Sequence, residues 1–294
     1  MNYDNRKYKD TVFRELYKDK HNLLELFNAM NNTNYNNPDD LTVKTLEGNT
    51  YLRVKNDASF ILDDELNLYE HQCTPCPNIP LRMLFYVTET LREMISLEDT
   101  YKETKYHIPI PRFVVFYNGS IPLPEKITYK LSDLFSKNIP YPELDLIVTV
   151  YNINNGHNSV LLDAANTLRE YSIFVSKVRK YIKAHLDSLS SQSTDITIQD
   201  SDKSRESAIR VAITIAVEEC IKENILHDFF LKHKQEAIDM SIAEYSFQKH
   251  IEVVKEDSYE NGYNKAKDED KAIIAEKDAL IAKLQAQIDS QNKD

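Results

Sequence analysis

The chain has 294 residues, 41% of them hydrophobic, enough for one large core plus an appendage and too apolar for a chain disordered throughout. Its 36 Lys and Arg are outnumbered by 47 Asp and Glu, for a formal net charge of −11, which excludes a protein that coats nucleic acid by bulk positive charge and leaves only a local basic patch for that purpose. With four glycines and three cysteines, a glycine-rich phosphate loop and a disulfide framework are excluded as well.

Taken in order, Met1 to Lys9 is polar, and no run of about 18 apolar residues follows anywhere. Neither a secretory signal nor a membrane span is expected, and a cytoplasmic location is. Val12, Phe13, Leu16 and Tyr17 recur at helical spacing, which predicts a helix over Asp10 to Tyr17. Asp19 is placed to cap a second helix, Lys20 to Met30, whose Leu23, Leu24, Leu26, Phe27 and Met30 face inward. Asn31 to Asp40, rich in Asn, breaks it. Leu41 to Leu46 reads as a strand before a Gly48-Asn49 turn. Beyond a loop bearing Pro75, Pro77 and Pro80, a helix is expected from Leu81 to Leu97, with Leu81, Leu84, Phe85, Thr88, Leu91 and Ile95 as its apolar stripe. Arg112 to Tyr117, bounded by Pro111 and Asn118-Gly119, reads as a strand buried on both faces. Leu144 to Tyr151 reads as another, ended by Asn154-Asn155-Gly156.

Helix, three strands, helix and strand together predict an α/β (α+β) fold, a mixed sheet flanked by helices with a right-handed strand–helix–strand crossover. Val160 to Leu189 reads as one long helix. Ser188 to Ser204, dominated by Ser, Asp, Thr and Gln, reads as a flexible linker. Helices follow at about Arg205 to Glu223 and Leu226 to His250, with Asn224 as a left-handed cap. In the charged tail, Ile274, Ile281, Leu284 and Ile288 keep a partial heptad register, suited to a short self-pairing coil and homodimer or to a solvated amphipathic helix. The expected organisation is a core over 1–155, a long packing helix over 156–187, a linker over 188–204, a helical region over 205–256 and a coiled-coil-like tail over 257–294.

One stretch, Asn56 to Gln72, organises the chain. It reads as two strands joined by an acidic Asp63-Asp64 turn. Alternation places Leu66, Leu68, Glu70 and Gln72 on one face and Asn67, Tyr69 and His71 on the other. Pairing brings Asp57, at the start of the first strand, near Glu70, so that two carboxylates and an amide meet at one end of a small sheet. Carboxylate oxygens suit magnesium or manganese better than zinc. Such an ion orients and acidifies a water and offsets charge on a phosphate under attack. A surface hairpin with solvated acids fits the same spacing.

Asp57, then Glu70-x-Gln72, then Pro77-Asn78-Ile79-Pro80-Leu81-Arg82-Met83-Leu84-Phe85-Tyr86, resembles the recombination-promoting nuclease (Rpn) family, the PD-(D/E)XK nuclease-like transposases. Asp10-x-x-Phe13-Arg14 and Tyr117-Asn118-Gly119 extend the resemblance, which covers roughly residues 8–250 in order of elements and has its specific motifs within 10–120. Cys73 stands where the family usually has Ser. The resemblance implies a restriction-endonuclease-like PD-(D/E)XK core and Mg2+-dependent (or Mn2+-dependent) cleavage of double-stranded DNA in a mobile-element or recombination setting. It makes Asp57 and Glu70 the metal-binding acids and Asp57, Glu70 and Gln72 the catalytic set. Gln72 occupies the place of the broader superfamily's Lys. An amide only orients water and donates a neutral hydrogen bond, so proton removal would fall to metal-bound hydroxide or a substrate phosphate. Arg14 matches the family's basic residue after Phe and suits a phosphate, as it suits an exposed helix face. Arg82 either binds phosphate or pairs with Glu70 or Asp57.

Glu15 and Glu25 read as solvated helix glutamates. Cys73 and Cys76 read as loop cysteines, since no second Cys-x-x-Cys exists and Cys220 is remote; His71 reads as structural. Two basic clusters, Arg6, Lys7, Lys9, Arg14 and Lys18 near the start and Lys177, Arg179, Lys180 and Lys183 on the long helix, are candidates for a DNA-facing patch or for charge balancing. Beside the endonuclease stand two other readings: a catalytically weakened DNA-binding relative that regulates a mobile element, and an oligomeric interaction protein working through its C-terminal half.

Overall fold

A computed structural model of the chain describes residues 11–44, 57–190 and 198–246, with positions 249, 267 and 277. The Gly48-Asn49 turn, Arg6, Lys7 and Lys9, and the heptads of the tail lie outside the described residues. The chain divides into two units, Met1–Glu244 and Tyr245–Asp294, and the elements below belong to the first.

Local capping chemistry sets the first helices. α1, Val12–Leu16, starts at Thr11, whose hydroxyl accepts from the Arg14 amide at 3.2 Å. α2, Lys20–Asn31, starts at Asp19, whose carboxylate accepts from the His21 amide at 2.8 Å, and ends on Asn32 in the left-handed region. Short polar side chains satisfy the N–H groups a helix leaves free at its start, and Asn tolerates the positive φ that ends it.

β1 (Thr42–Val43), β2 (Ala58–Leu62) and β3 (Glu65–Gln72) form an antiparallel meander, followed by α3 (Ile79–Met94), β4 (Ile110–Tyr117), β5 (Lys126–Lys130) and β6 (Ile147–Asn152). The six strands lie in the order β1-β2-β3-β4-β6-β5. β3, β4 and β6 are parallel, and β5 closes the edge antiparallel to β6. The chain is therefore of the expected mixed α/β class. Asp63 and Asp64, both at positive φ (53° and 57°), make the β2–β3 turn with the conformation that two-residue hairpins require. That turn sets the register from Leu62 opposite Glu65 to Ala58 opposite Tyr69.

Both faces of the sheet are covered. On one, Leu66, Leu68, Val115, Tyr117, Val148 and Val150 pack beneath Ile79, Met83, Tyr86 and Val87 of α3. On the other lies an aromatic layer in which Phe60, Tyr69 and Phe116 meet edge to face at 5.3 and 5.5 Å, with Phe13 and Phe27 closing it from α1 and α2. β3 divides its side chains between the two layers as the period of two requires.

Four features differ from expectation. α3 begins two residues earlier than expected and buries Ile79, Met83, Tyr86, Val87 and Thr90, leaving Leu81 and Phe85 at 42% and 45% exposure. Met83 to Val87 is apolar at every position, so periodicity alone leaves the phase of this helix open. β5 was not expected; only Ile127 and Tyr129 of its five residues turn partly inward, and Lys126 and Lys130 keep the sheet edge solvated. The single helix expected over Val160 to Leu189 is two, α4 (Ser159–Ala164) and α5 (Asn166–Ser190). They part at Ala165 because the Glu25 carboxylate of α2 takes the Asn166 and Thr167 amides at 2.9 and 3.1 Å. Glu25 is thus a cap supplied by another helix, not a solvated glutamate. Finally, α6 (Ile198–Lys222) takes in 198–204 of the expected linker, and only 191–197 separate it from α5 as residues outside the description.

α5 and α6 are joined by Lys177, which pairs with Glu219 and Glu223 at 3.1 and 3.0 Å. After Asn224, left-handed at φ 60°, α7 runs from 227 through the end of this unit. Among the described residues no helix is long and apolar enough to cross a membrane.

Candidate active site

Glu70 sits two residues from the end of β3, and Asp57 immediately precedes β2. Extending the hairpin register by one residue sets Asp57 opposite Glu70. The His71 amide donates to Asp57 Oδ2 at 2.7 Å, which fixes that carboxylate against the end of β3. Glu70, 7% exposed, points toward α3. There Arg82 Nη2 donates to Glu70 Oε1, and the Tyr86 hydroxyl donates to the same oxygen at 3.3 Å. Arg82 and Tyr86 are four residues apart and so lie on one face of the helix. Pro80, tolerated in the first turn where its missing N–H has no helical partner, starts α3 at the point that aims this face at β3.

Desolvation dominates the electrostatics of the pair. Burial pushes Glu70 up to about 8, the Asp57 charge adds to the rise and Arg82 opposes it. Burial likewise pushes Asp57 up to about 6, against the His71 amide, Arg14 and Arg82. Burial by itself would lower Arg82, but the Glu70 charge holds it above its usual value. The two acids, crowded in a poorly solvated pocket, therefore keep a proton between them near neutral pH. His71 points to the opposite face. It stacks on Phe13 at 5.0 Å, and its Nε2 lies 3.1 Å from the Tyr171 hydroxyl. Burial, with Arg179 adding, pushes its imidazole down to about 3. His71 is thus a neutral core histidine.

Glu70 Oε2 and Gln72 Nε2 are buried and have no hydrogen-bond partner among the described residues. A buried carboxylate oxygen is costly unless an electropositive group meets it. Two carboxylates with oxygen donors suit magnesium or manganese, which complete their shells with water and phosphate oxygens. Among the described residues no group of three or more His, Cys, Asp or Glu comes together, so Asp57 and Glu70 are the carboxylates such an ion would use. The donor set fits, with Arg82 and the Tyr86 hydroxyl both already at Glu70 Oε1.

Gln72, Arg14 and Tyr117-Asn118-Gly119 lie at the same end of the sheet. Gln72 ends β3 on the face of Glu70, and its carbonyl accepts the Asn118 amide at 2.9 Å. Arg14, 5% exposed, lies near enough to Asp57 to oppose its upward shift, so it is not an exposed helix arginine. Tyr117-Asn118-Gly119 is where the exit of β4 presses on that of β3: a Cβ on Gly119 would stand 2.1 Å from the Cys73 carbonyl oxygen, a close approach only glycine permits. Tyr86 had no role assigned from the sequence, although its spacing from Arg82 carries the signal.

Half of the basic cluster on α5 is spent inside the fold. Lys177 is paired with α6, and Arg179 donates to Asn118 and Asn154 Oδ1 at 3.1 and 2.9 Å. Cys73, Cys76 and Cys220 form no disulfide. No protein-family model, no curated protein and no solved structure matches the chain.

Proposed function

We propose that this chain is a metal-dependent DNA endonuclease of the Rpn kind, built on a PD-(D/E)XK-like core and cutting double-stranded DNA in the cytoplasm with Mg2+ or Mn2+. The observation that carries the reading is the pairing of Asp57 with Glu70 across the β2–β3 hairpin, where one buried oxygen of Glu70 is left without a partner. The order α1, α2, β1, β2, β3, α3, β4, with β2 and β3 antiparallel and β3 and β4 parallel, supports it as a mixed sheet flanked by helices.

When bound, the ion would polarise a water and offset the charge that gathers on the attacked phosphate. Asp57 and Glu70 would hold it through carboxylate oxygens, with the His71 amide keeping Asp57 fixed. Gln72, whose buried Nε2 has no partner among the described residues, would offer a neutral hydrogen bond there and take no proton, because an amide has no base function near neutral pH. Arg14 and Arg82 place positive charge near Asp57, of the kind that suits a phosphate.

Incubation of supercoiled plasmid with purified protein tests this. Nicking or linearisation is expected with Mg2+ or Mn2+, and its loss with excess chelator and in Asp57→Ala and Glu70→Ala. A wild type inert with both ions, or cutting that survives both substitutions, would refute it.

A further inference from the structure

We propose that Arg82 is a resident counter-ion of the carboxylate pair, one that yields Glu70 to an incoming divalent cation and is thereby freed to grip a phosphate. The inference rests on the nuclease reading above and adds a role for a residue that reading leaves at the edge of the site.

A guanidinium and a carboxylate frequently meet fork to fork, two nitrogens on two oxygens. Here a single nitrogen, Nη2, meets a single oxygen, Oε1. Glu70 Oε2 and Arg82 Nε are both buried with no hydrogen-bond partner among the described residues. The ion pair is half made. One carboxylate oxygen is left for a cation, and one guanidinium nitrogen for an anion.

Exposure also differs between the partners. The Arg82 side chain is 41% exposed and that of Glu70 only 9%, so the arginine is the one able to swing out. A divalent cation at Oε2 would stand beside the guanidinium, and like charges repel strongly where water is scarce. Tyr86, a neutral donor to Oε1 at 3.3 Å, would stay and keep the carboxylate aimed without opposing the ion. Cation binding and phosphate capture would then be coupled through one side chain, because whatever draws Arg82 outward also opens Glu70.

The test is Mn2+ titration, followed by the electron-spin-resonance signal of the free ion at about pH 8.5, where protons compete least for the carboxylates. Arg82→Met should bind Mn2+ on the order of tenfold more tightly than wild type, while Arg82→Lys, which keeps the charge, stays within about threefold. In wild-type protein, Mg2+ should shift or broaden the Arg82 Nε–H signal in a 15N spectrum. Arg82→Met that binds Mn2+ no more tightly than wild type overturns this inference alone. An Arg82 signal unmoved by Mg2+ in a wild type that does bind the ion has the same force and needs no substitution. A wild type that binds no Mn2+ overturns this inference together with the nuclease reading.

Discussion

Replacing Glu70 with Gln should make the protein more stable above neutral pH, because the native carboxyl is held against its preference. Glu70 is 7% exposed, and its pKa is raised from 4.5 to about 8 by burial first and then by Asp57. Between those values the folded chain holds a proton that the unfolded chain has released. Stability therefore falls as pH rises through the window, by at most about 1.4 kcal/mol per pH unit for one proton. His71 acts in the opposite sense. Its imidazole is lowered from 6.5 to about 3, so the unfolded chain binds a proton that the folded chain does not, and this contribution rises with pH to about 6.5 and is then flat. Below 6.5 the two slopes oppose each other, and Asp57 titrates there too. From about 6.5 to 8 the Glu70 slope stands alone among these groups. Urea unfolding in chelator should show wild-type stability dropping by roughly 1–2 kcal/mol across that interval. Glu70→Gln keeps the shape and an oxygen for Arg82 and should show no such drop. Excess Mg2+ should restore wild-type stability most at the alkaline end, where the ion no longer displaces a proton. Parallel pH profiles for wild type and Glu70→Gln in this interval would refute the claim that burial and Asp57 hold a proton on the pair.

Gly119→Ala should cost about 1–3 kcal/mol by overpacking, since its Cβ would fall 2.1 Å from the Cys73 carbonyl oxygen and 2.2 Å from the Tyr117 hydroxyl; thermal unfolding measures it, and an unchanged melting temperature would count against the close approach. Glu25→Ala removes the carboxylate that accepts the first amides of α5 and should cost about 1 kcal/mol, with hydrogen exchange of the Asn166 and Thr167 amides rising before that of the α5 interior. Phe116→Ala, at the centre of the aromatic layer and fully buried, should cost about 3–5 kcal/mol as read from urea midpoints.

Short-range rules carried much of this molecule. Asp19 and Asn32 bound α2 because each satisfies or relaxes backbone within a few residues of itself. The β2–β3 hairpin was legible because a two-residue Asp-Asp turn and a period of two leave one register, and that register alone sets Asp57 against Glu70. What the tertiary structure decided depends on partners far along the chain. The break at Ala165 needs a carboxylate 141 residues from the amide it caps, and β5 is a strand only because β6 offers it an edge. The apolar arc of α3 is wider than the face it buries, with Leu81 and Phe85 left exposed, so the sheet beneath it selected which part of that arc is buried. That choice turned Arg82 and Tyr86 onto Glu70. The identity of the two acids was thus determined locally, but their raised pKa values arise from desolvation and the half-made ion pair from the seating of α3 on the sheet, and both exist only once distant segments have closed over the acids.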